Sequence, residues 1–217
     1  MRVEATLFSR FSKASYASQL YCKRCLDFLG ALVGLFITAV LFPVIALAIK
    51  LDSRGPIFFW QARVGENEQI FKCWKFRSMY ADAEEQKKEL MERNEMTGAL
   101  FKIKNDPRMT KVGMFLRKAS LDELPQFWNV LRGEMSLVGP RPPTGEEVER
   151  YESWHRKRIS IKPGITGIWQ VSGRNHINDF DEVVRLDLQY IENWNLWLDI
   201  KILFKTFPVV FTGHGSF

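Results

Sequence analysis

Two acidic side chains stand side by side at Asp122-Glu123, inside the run "SLDELPQFWNVLRGEMSLVGPRP" from Ser120 to Pro142. Two chemistries fit them. Ser120-x-x-Glu123 matches a capping box, in which serine and glutamate satisfy free backbone N–H groups at a helix start. Pro125 restricts where that helix begins. With Ser120 as N-cap the proline falls beyond the free-donor turn and removes a bond; with Asp122 as N-cap it lies within the first turn. The other chemistry is nucleophilic: a carboxylate beside phosphates can attack phosphorus and form an acyl phosphate. The local pattern alone favours capping, and the surrounding cations shift the balance. Arg117 and Lys118 precede the pair, Arg132 follows it, and Arg141 is held between Pro140 and Pro142. A helix N-terminus with cations around it suits phosphate groups. Prolines on both sides of an arginine limit the freedom it loses on binding.

A second pair of cations comes from "QIFKCWKFRSM". Alternation along a strand places Phe71, Cys73, Lys75 and Arg77 on one face, so Lys75 and Arg77 are candidates for binding phosphate oxygens. Metal-ligand spacing is weak elsewhere. Cys22 and Cys25 form a lone CxxC with no second pair, Cys73 stands apart, and His155, His176 and His214 are scattered. A reduced, cytosol-facing protein fits this cysteine usage.

The elements that must carry these residues begin with "FLGALVGLFITAVLFPVIALAI", residues 28–49, which no charge interrupts. A bilayer-spanning helix needs roughly 20 apolar residues, and a soluble core helix is rarely apolar on every face. The run predicts membrane insertion, and it is too long for the apolar region of a signal peptide. Pro43 removes a backbone hydrogen bond and bends such a helix. Arg10, Lys13, Lys23 and Arg24 precede the run, and Lys50, Arg54 and Arg63 follow it. Positive charge favours the cytoplasmic side, so a re-entrant helix satisfies both ends, and a single-pass anchor with a proline kink is the alternative.

Beyond the apolar run, "GPIFFWQARV" and "QIFKCWKFRSM" flank Gly65-Glu66-Asn67-Glu68 and predict a β-hairpin. Helical patterns follow in "ADAEEQKKELMERNE", with Glu84 four residues ahead of Lys88, then "GEEVERYESWHRKRIS", "FDEVVRLDLQYIEN" and "LWLDIKILFKTFPVVF". "KPGITG" is a loop by its Pro and Gly content. Trp194 and Trp197, with Lys201 and Lys205 on the last helix, suit a membrane–water interface, and burial in the domain core is the rival explanation. The expected architecture is helix-rich α/β. Residues 1–22 form an N-terminal segment, 23–50 the Pro-kinked membrane helix, and 51–217 one compact cytosolic domain with the short hairpin and interfacial amphipathic helices.

The 217 residues are 46% hydrophobic with a formal net charge of +6, enough for a packed core and a bias towards an anionic partner. Nucleic acid is not that partner, because no recognised nucleic-acid module is present and the charge is scattered.

In their order along the chain, "KFRSM", "LRKASLDELPQFWNVLRGEMSLVGPRP", "KPGITGIWQVSGRN" and the "LDLQY…LWLDIKIL" tail resemble the bacterial sugar transferases, the monotopic phosphoglycosyl transferases of glycan assembly. The match runs from about Lys23 almost to the C-terminus. Larger members of that family carry a further N-terminal membrane domain not matched here. The resemblance implies an enzyme on the cytoplasmic face of the bacterial inner membrane, held by a re-entrant helix broken near a proline, here Pro43. It implies transfer of a sugar-1-phosphate from a UDP-sugar to polyprenol (undecaprenyl) phosphate, with release of UMP. It also implies Mg²⁺, with Asp122 as protein ligand, and Asp122 as the nucleophile of a two-step exchange. Glu123 supports Asp122 in a role left open, and Arg117 with Pro140-Arg141-Pro142 belongs to the active site. The competing expectation is a membrane-tethered adaptor that binds phosphate ligands without catalysis; a free carboxylate beside phosphates counts against it. Homo-oligomerisation and the identity of the sugar stay open.

Overall fold

The computed structural model describes residues 13–101, 103, 106–173 and 177–212. Arg10, His176, His214 and the Arg174-Asn175 end of the "KPGITGIWQVSGRN" motif lie outside them, as does the Lys88 side chain.

The uncharged run lies in one long α-helix, α1 (Lys13–Asp52), which continues through Pro43. One face of α1 is buried against the rest of the chain, at Asp27, Ala31, Thr38, Ile45 and Ile49. These positions recur at helical spacing. The opposite face exposes Leu29, Val33, Phe36, Val40, Val44 and Leu47. Gly34 lets the helix approach closely, since a Cβ there would come within 2.3 Å of the Phe127 ring. Polar side chains fasten both ends of this helix. Near the start, Lys23 Nζ donates to Asp199 Oδ2 at 2.7 Å and Arg24 to the carbonyls of Val130 and Leu131 at 2.9 and 2.8 Å. Asp27 accepts from Ser136 Oγ and the Leu137 amide, both at 2.9 Å. At the other end, Asp52 accepts from the Val112 amide at 2.9 Å.

The predicted hairpin forms from β1 (Phe58–Val64) and β2 (Ile70–Phe76), paired antiparallel with Phe59 opposite Lys75, Gln61 opposite Cys73 and Arg63 opposite Phe71. The next segments are α2 (Ala83–Glu89), α3 (Lys111–Lys118), a 3-10 turn (Leu121–Glu123) and α4 (Gln126–Arg132). A second, parallel pair joins β3 (Ser136–Val138) to β4 (Gly164–Thr166). Its strands are three residues long, too short for the period-two signal by which strands are recognised in sequence. Between and after these strands come α5 (Gly145–Glu149), α6 (Ile168–Val171), α7 (Phe180–Asn193) and α8 (Leu196–Thr212). The chain is a helix-rich α/β structure with a short antiparallel hairpin and one long apolar N-terminal helix.

Four expectations change: β4 occupies Gly164–Thr166 within the loop expected at "KPGITG", and the helical pattern over 81–95 divides into α2 and a 3-10 segment, Met91–Arg93. The stretch 145–160 is not one helix: α5 ends at Glu149 and a 3-10 segment, His155–Ile159, follows separately. Arg158 is pulled inward there, 1% exposed, donating to Asp187 and to the Tyr151 hydroxyl, while Arg156 and Lys157 stay exposed. The two interfacial tryptophans also divide. Trp197 is 61% exposed, but Trp194 is 7% exposed, and its indole N–H donates to Asp199 inside the network that holds Lys23. A buried indole needs such an acceptor, and Asp199 supplies it.

Candidate active site

A cleft of about 450 Å³ opens where the hairpin, the Leu121–Glu123 turn and the loop after β3 meet. Lys75, Arg117, Asp122, Glu123 and Arg141 all line it, so residues separated by up to 66 positions meet at one cleft.

The capping question has a clear outcome. Ser120 is left-handed (φ 53°, ψ 19°) and makes no side-chain cap bond to the 3-10 turn, and α4 starts behind Pro125 with no side-chain cap either. Asp122 lies within the turn rather than at an N-cap. Neither weighed capping arrangement is the observed one. The capping box of this region is instead Thr144-x-x-Glu147 at the head of α5, where both reciprocal hydrogen bonds are present at 3.2 Å. Asp122 is 4% exposed and borders the cleft, which sets a carboxylate in a surrounding of reduced dielectric. Lys75 Nζ donates to Glu123 Oε1 at 2.6 Å, linking β2 to the same turn.

Arg117, in the last turn of α3, donates from Nε to Ser78 Oγ at 3.0 Å. Arg141 forms a two-pronged pair with Glu147, at 3.0 Å to Oε2 and 3.3 Å to Oε1. Burial alone would lower the Arg141 pKa; the Glu147 carboxylate outweighs it and holds the guanidinium above its ordinary value. For Glu147 burial acts upward, and Arg141 with Arg63 overcomes it, so its pKa lies below the ordinary carboxylate range.

Pro140 and Pro142 do not line the cleft; they fix the segment that carries Arg141. Pro140 O accepts from the Gly164 amide at 2.9 Å, Pro142 O from Arg63 at 2.9 Å, and Pro143 O from the Val64 amide at 2.8 Å. Proline keeps the acceptor while lacking the donor, which suits a segment held through its carbonyls. Gly164 allows the crossing, because a Cβ there would stand 2.0 Å from the Gly139 amide nitrogen.

Arg77 does not act as expected from strand alternation. β2 ends at Phe76, and the Arg77 guanidinium, although it borders the cleft, turns to the C-terminus of α1. It donates to the carbonyls of Ile49, Ser53 and Arg54 at 3.3, 2.7 and 2.7 Å, and to Ser53 Oγ at 3.0 Å. Helix C-termini leave carbonyls without partners and carry partial negative charge, and Arg77 answers both. Arg132 is also absent from the cleft, paired with Glu134 at 3.1 Å.

Several cleft residues lay outside the sequence reading, Gln61, Arg63 and Glu147 among them. Gln61 and Arg63 share the cleft face of β1 with Phe59, and Glu147 reaches in from α5. Alternation applied to the first strand as well as the second would have found Gln61 and Arg63.

Among the described residues, no group of three or more His, Cys, Asp or Glu gathers in one place. Mg²⁺ does not require such a group, since it is commonly held by one or two carboxylates together with water and substrate phosphates. The adjacent Asp122 and Glu123 carboxylates on the cleft wall fit that donor set.

Comparison with known proteins points in one direction. A family model described as bacterial sugar transferase matches residues 18–213. Galactosyl transferase CpsE of Streptococcus agalactiae is 52% identical over 215 residues, covering 96% of this chain and 48% of that protein. Undecaprenyl-phosphate galactose phosphotransferase of Salmonella typhimurium is 43% identical, covering 100% of this chain and 44% of that protein. Exopolysaccharide production protein ExoY of Rhizobium meliloti is 44% identical, covering 90% and 88%. The chain therefore spans about half the length of the first two relatives and most of the third.

Proposed function

From the premise that this chain belongs to the bacterial sugar transferase family, we propose that it is a phosphoglycosyl transferase acting at a membrane surface. It moves a hexose-1-phosphate from a UDP-sugar to undecaprenyl phosphate, as a first membrane step in polysaccharide assembly. The observation that carries this reading is a buried carboxylate, Asp122, on the wall of a cleft shared with Lys75, Arg117 and Arg141. Relatives named for galactose transfer to undecaprenyl phosphate or for exopolysaccharide production support the substrate class.

In the first step an Asp122 carboxylate oxygen attacks the sugar-bearing phosphorus of the UDP-sugar. A new O–P bond forms, the bond to the bridging oxygen breaks, and UMP departs with that electron pair. In the second step a phosphate oxygen of undecaprenyl phosphate attacks the same phosphorus. The aspartyl O–P bond breaks, the carboxylate is restored, and undecaprenyl-diphospho-sugar leaves. An anionic nucleophile meeting a diphosphate is opposed by ~1 kcal/mol per charge pair at 4 Å in water, and by several times that in a drier cleft. Arg117 and Arg141 offset this repulsion and stabilise charge on the departing phosphate. Asp122, with Glu123 beside it, would hold Mg²⁺, which supplies Lewis-acid neutralisation of the diphosphate.

The helix α1 carries the membrane contact. It is long and apolar enough to cross a bilayer, yet contacts with one and the same body run from Lys23 to Asp52. A bilayer crossing would separate those ends by ~30 Å of hydrocarbon. The contact pattern fits entry and return on the cytoplasmic side with the exposed apolar face against lipid, a reading that needs α1, one helix through Pro43 in this structure, to bend there in the membrane. Such a placement brings the cleft to the headgroup level, where the lipid phosphate lies.

The test is a panel of UDP-sugars offered without lipid acceptor. One equivalent of UMP released per protein, and a phospho-sugar adduct on Asp122 by intact mass, is the expected result. UMP that appears only when both substrates are present would overturn the two-step scheme.

A further inference from the structure

Among the described residues, six cationic side chains border the cleft: Arg63, Lys75, Arg77, Arg108, Arg117 and Arg141. Three are matched by carboxylates, Lys75 by Glu123, Arg108 by Asp106 and Arg141 by Glu147. Arg77 is taken up by the carbonyls of the α1 terminus. Arg63 and Arg117 remain, and among the described residues both are held only by neutral oxygens. Arg117 is already part of the family-implied site; Arg63 is not.

Arg63 is half-buried on β1, on the hairpin face that also presents Gln61 and Lys75 to the cleft. It donates to Pro142 O at 2.9 Å and to Gln61 Oε1 at 2.5 Å, two of the five N–H groups a guanidinium carries. The bond to Pro142 O ties Arg63 to the residue after Arg141, another cation bordering the cleft. Burial first, then the Arg141 charge, pulls Arg63 down to about 10, against the opposing carboxylates of Glu147 and Glu123. A desolvated cation beside a like charge costs stability, which those carboxylates offset in part and a bound anion would offset further. Nothing in the fold requires that cost, because a neutral donor would serve Pro142 O and Gln61 equally well. Two guanidinium groups bordering one cleft suit a phosphate, whose oxygens accept in pairs.

We propose that Arg63 is a substrate-binding residue that, together with Arg141, seats a phosphate group in this cleft. The chemistry is common to the diphosphate of the nucleotide donor and the phosphate of the lipid acceptor. The assignment rests on the transfer reaction proposed above, and its first measurement is independent of turnover.

Pyrophosphate binding is measured on the full chain in detergent, for wild type, Arg63→Gln and Arg63→Lys, by the rise in melting temperature with ligand. Arg63→Gln should keep or raise the ligand-free melting temperature, as expected when a desolvated cation beside Arg141 is removed from a site kept for function. Its pyrophosphate affinity should fall roughly 10- to 100-fold, with partial recovery in Arg63→Lys. A matching fall in UMP release from UDP-sugar alone assigns the seat to the donor. Normal UMP release with a slowed second step on undecaprenyl phosphate assigns it to the lipid. Wild-type pyrophosphate affinity in Arg63→Gln overturns the proposal, as does a lowered melting temperature with unchanged binding, which would leave Arg63 a tie between β1 and the proline loop. Should Arg63→Gln fail to fold, unchanged affinity in Arg63→Lys overturns it equally, since a point charge cannot replace a fork. If wild type binds pyrophosphate through Arg63 yet releases no UMP from any UDP-sugar, the transfer reaction falls and the seat stands.

Discussion

The Lys75 ammonium lies 2.6 Å from the Glu123 carboxylate, across the gap between β2 and the turn that carries Asp122. Both side chains are about a third exposed or less, so solvent screens the pair and its direct contribution to stability is within ~1 kcal/mol. What the bond does is fix the turn one residue from the proposed nucleophile. If that is its role, the two residues act as one unit. Lys75→Met and Glu123→Gln should each slow UMP release by roughly 10- to 100-fold, and the double variant should be no slower than the worse single one. Losses that multiply in the double variant would mean that the two residues act separately.

Arg77 is the case where a cation near phosphates does structural work. Its guanidinium, 5% exposed, donates to the carbonyls of Ser53 and Arg54 just past α1 and shares that of Ile49 with the Ser53 amide. Arg77→Ala should cost about 2–3 kcal/mol in unfolding experiments, the scale of hydrogen bonds to a charged group. Pyrophosphate affinity per folded molecule should stay at the wild-type level. An affinity loss without a stability loss would return Arg77 to the phosphate site.

Gly113 sets how closely α3 lies against the loop after β2. A Cβ at this position would stand 1.9 Å from the Ser78 carbonyl oxygen, which a backbone atom cannot yield without moving the helix. The same loop supplies Ser78 Oγ to Arg117 at 3.0 Å. Gly113→Ala should therefore destabilise by about 1–3 kcal/mol, as overpacking does. It should also reduce kcat more than thermal stability alone explains, because Arg117 moves with α3. Thermal melts paired with initial rates of UMP release check both parts.

The sequence showed most where a pattern is long or a residue type is unusual. The 22 uncharged residues marked α1, period-two alternation marked the hairpin, and "FDEVVRLDLQYIEN" coincides with α7 to the residue. The acidic pair and Pro-Arg-Pro marked the cleft, because carboxylates and flanked arginines are costly to place without a use. Less was visible where partners come from afar. Arg77 follows the strand alternation of Lys75 on paper, but the strand stops at Phe76 and open carbonyls of a distant helix claim the side chain. Trp194 and Trp197 look alike in sequence, and only the position of Asp199 in the core separates them. The Ser120-x-x-Glu123 pattern met its rule without its geometry, since Ser120 is left-handed, whereas Thr144-x-x-Glu147 met both.

Glu147 gives the clearest dependence on pH. Burial would raise its pKa, but Arg141 and Arg63 prevail and hold it below its ordinary 4.5. A carboxyl group with a depressed folded value binds its proton more readily when unfolded. Its contribution to stability is thus complete above the unfolded value and disappears as pH falls through the folded one. Wild type should lose stability on acidification below about pH 4.5. Glu147→Gln should be less stable at neutral pH, by about 3 kcal/mol or more, since it leaves the mostly buried Arg141 without its carboxylate. The same variant should show a flatter decline with acid, so the two melting curves approach each other as pH drops. Melting temperatures measured between neutral and acid pH for both proteins decide it. Parallel curves would mean that Glu147 does not carry the charge that balances Arg141.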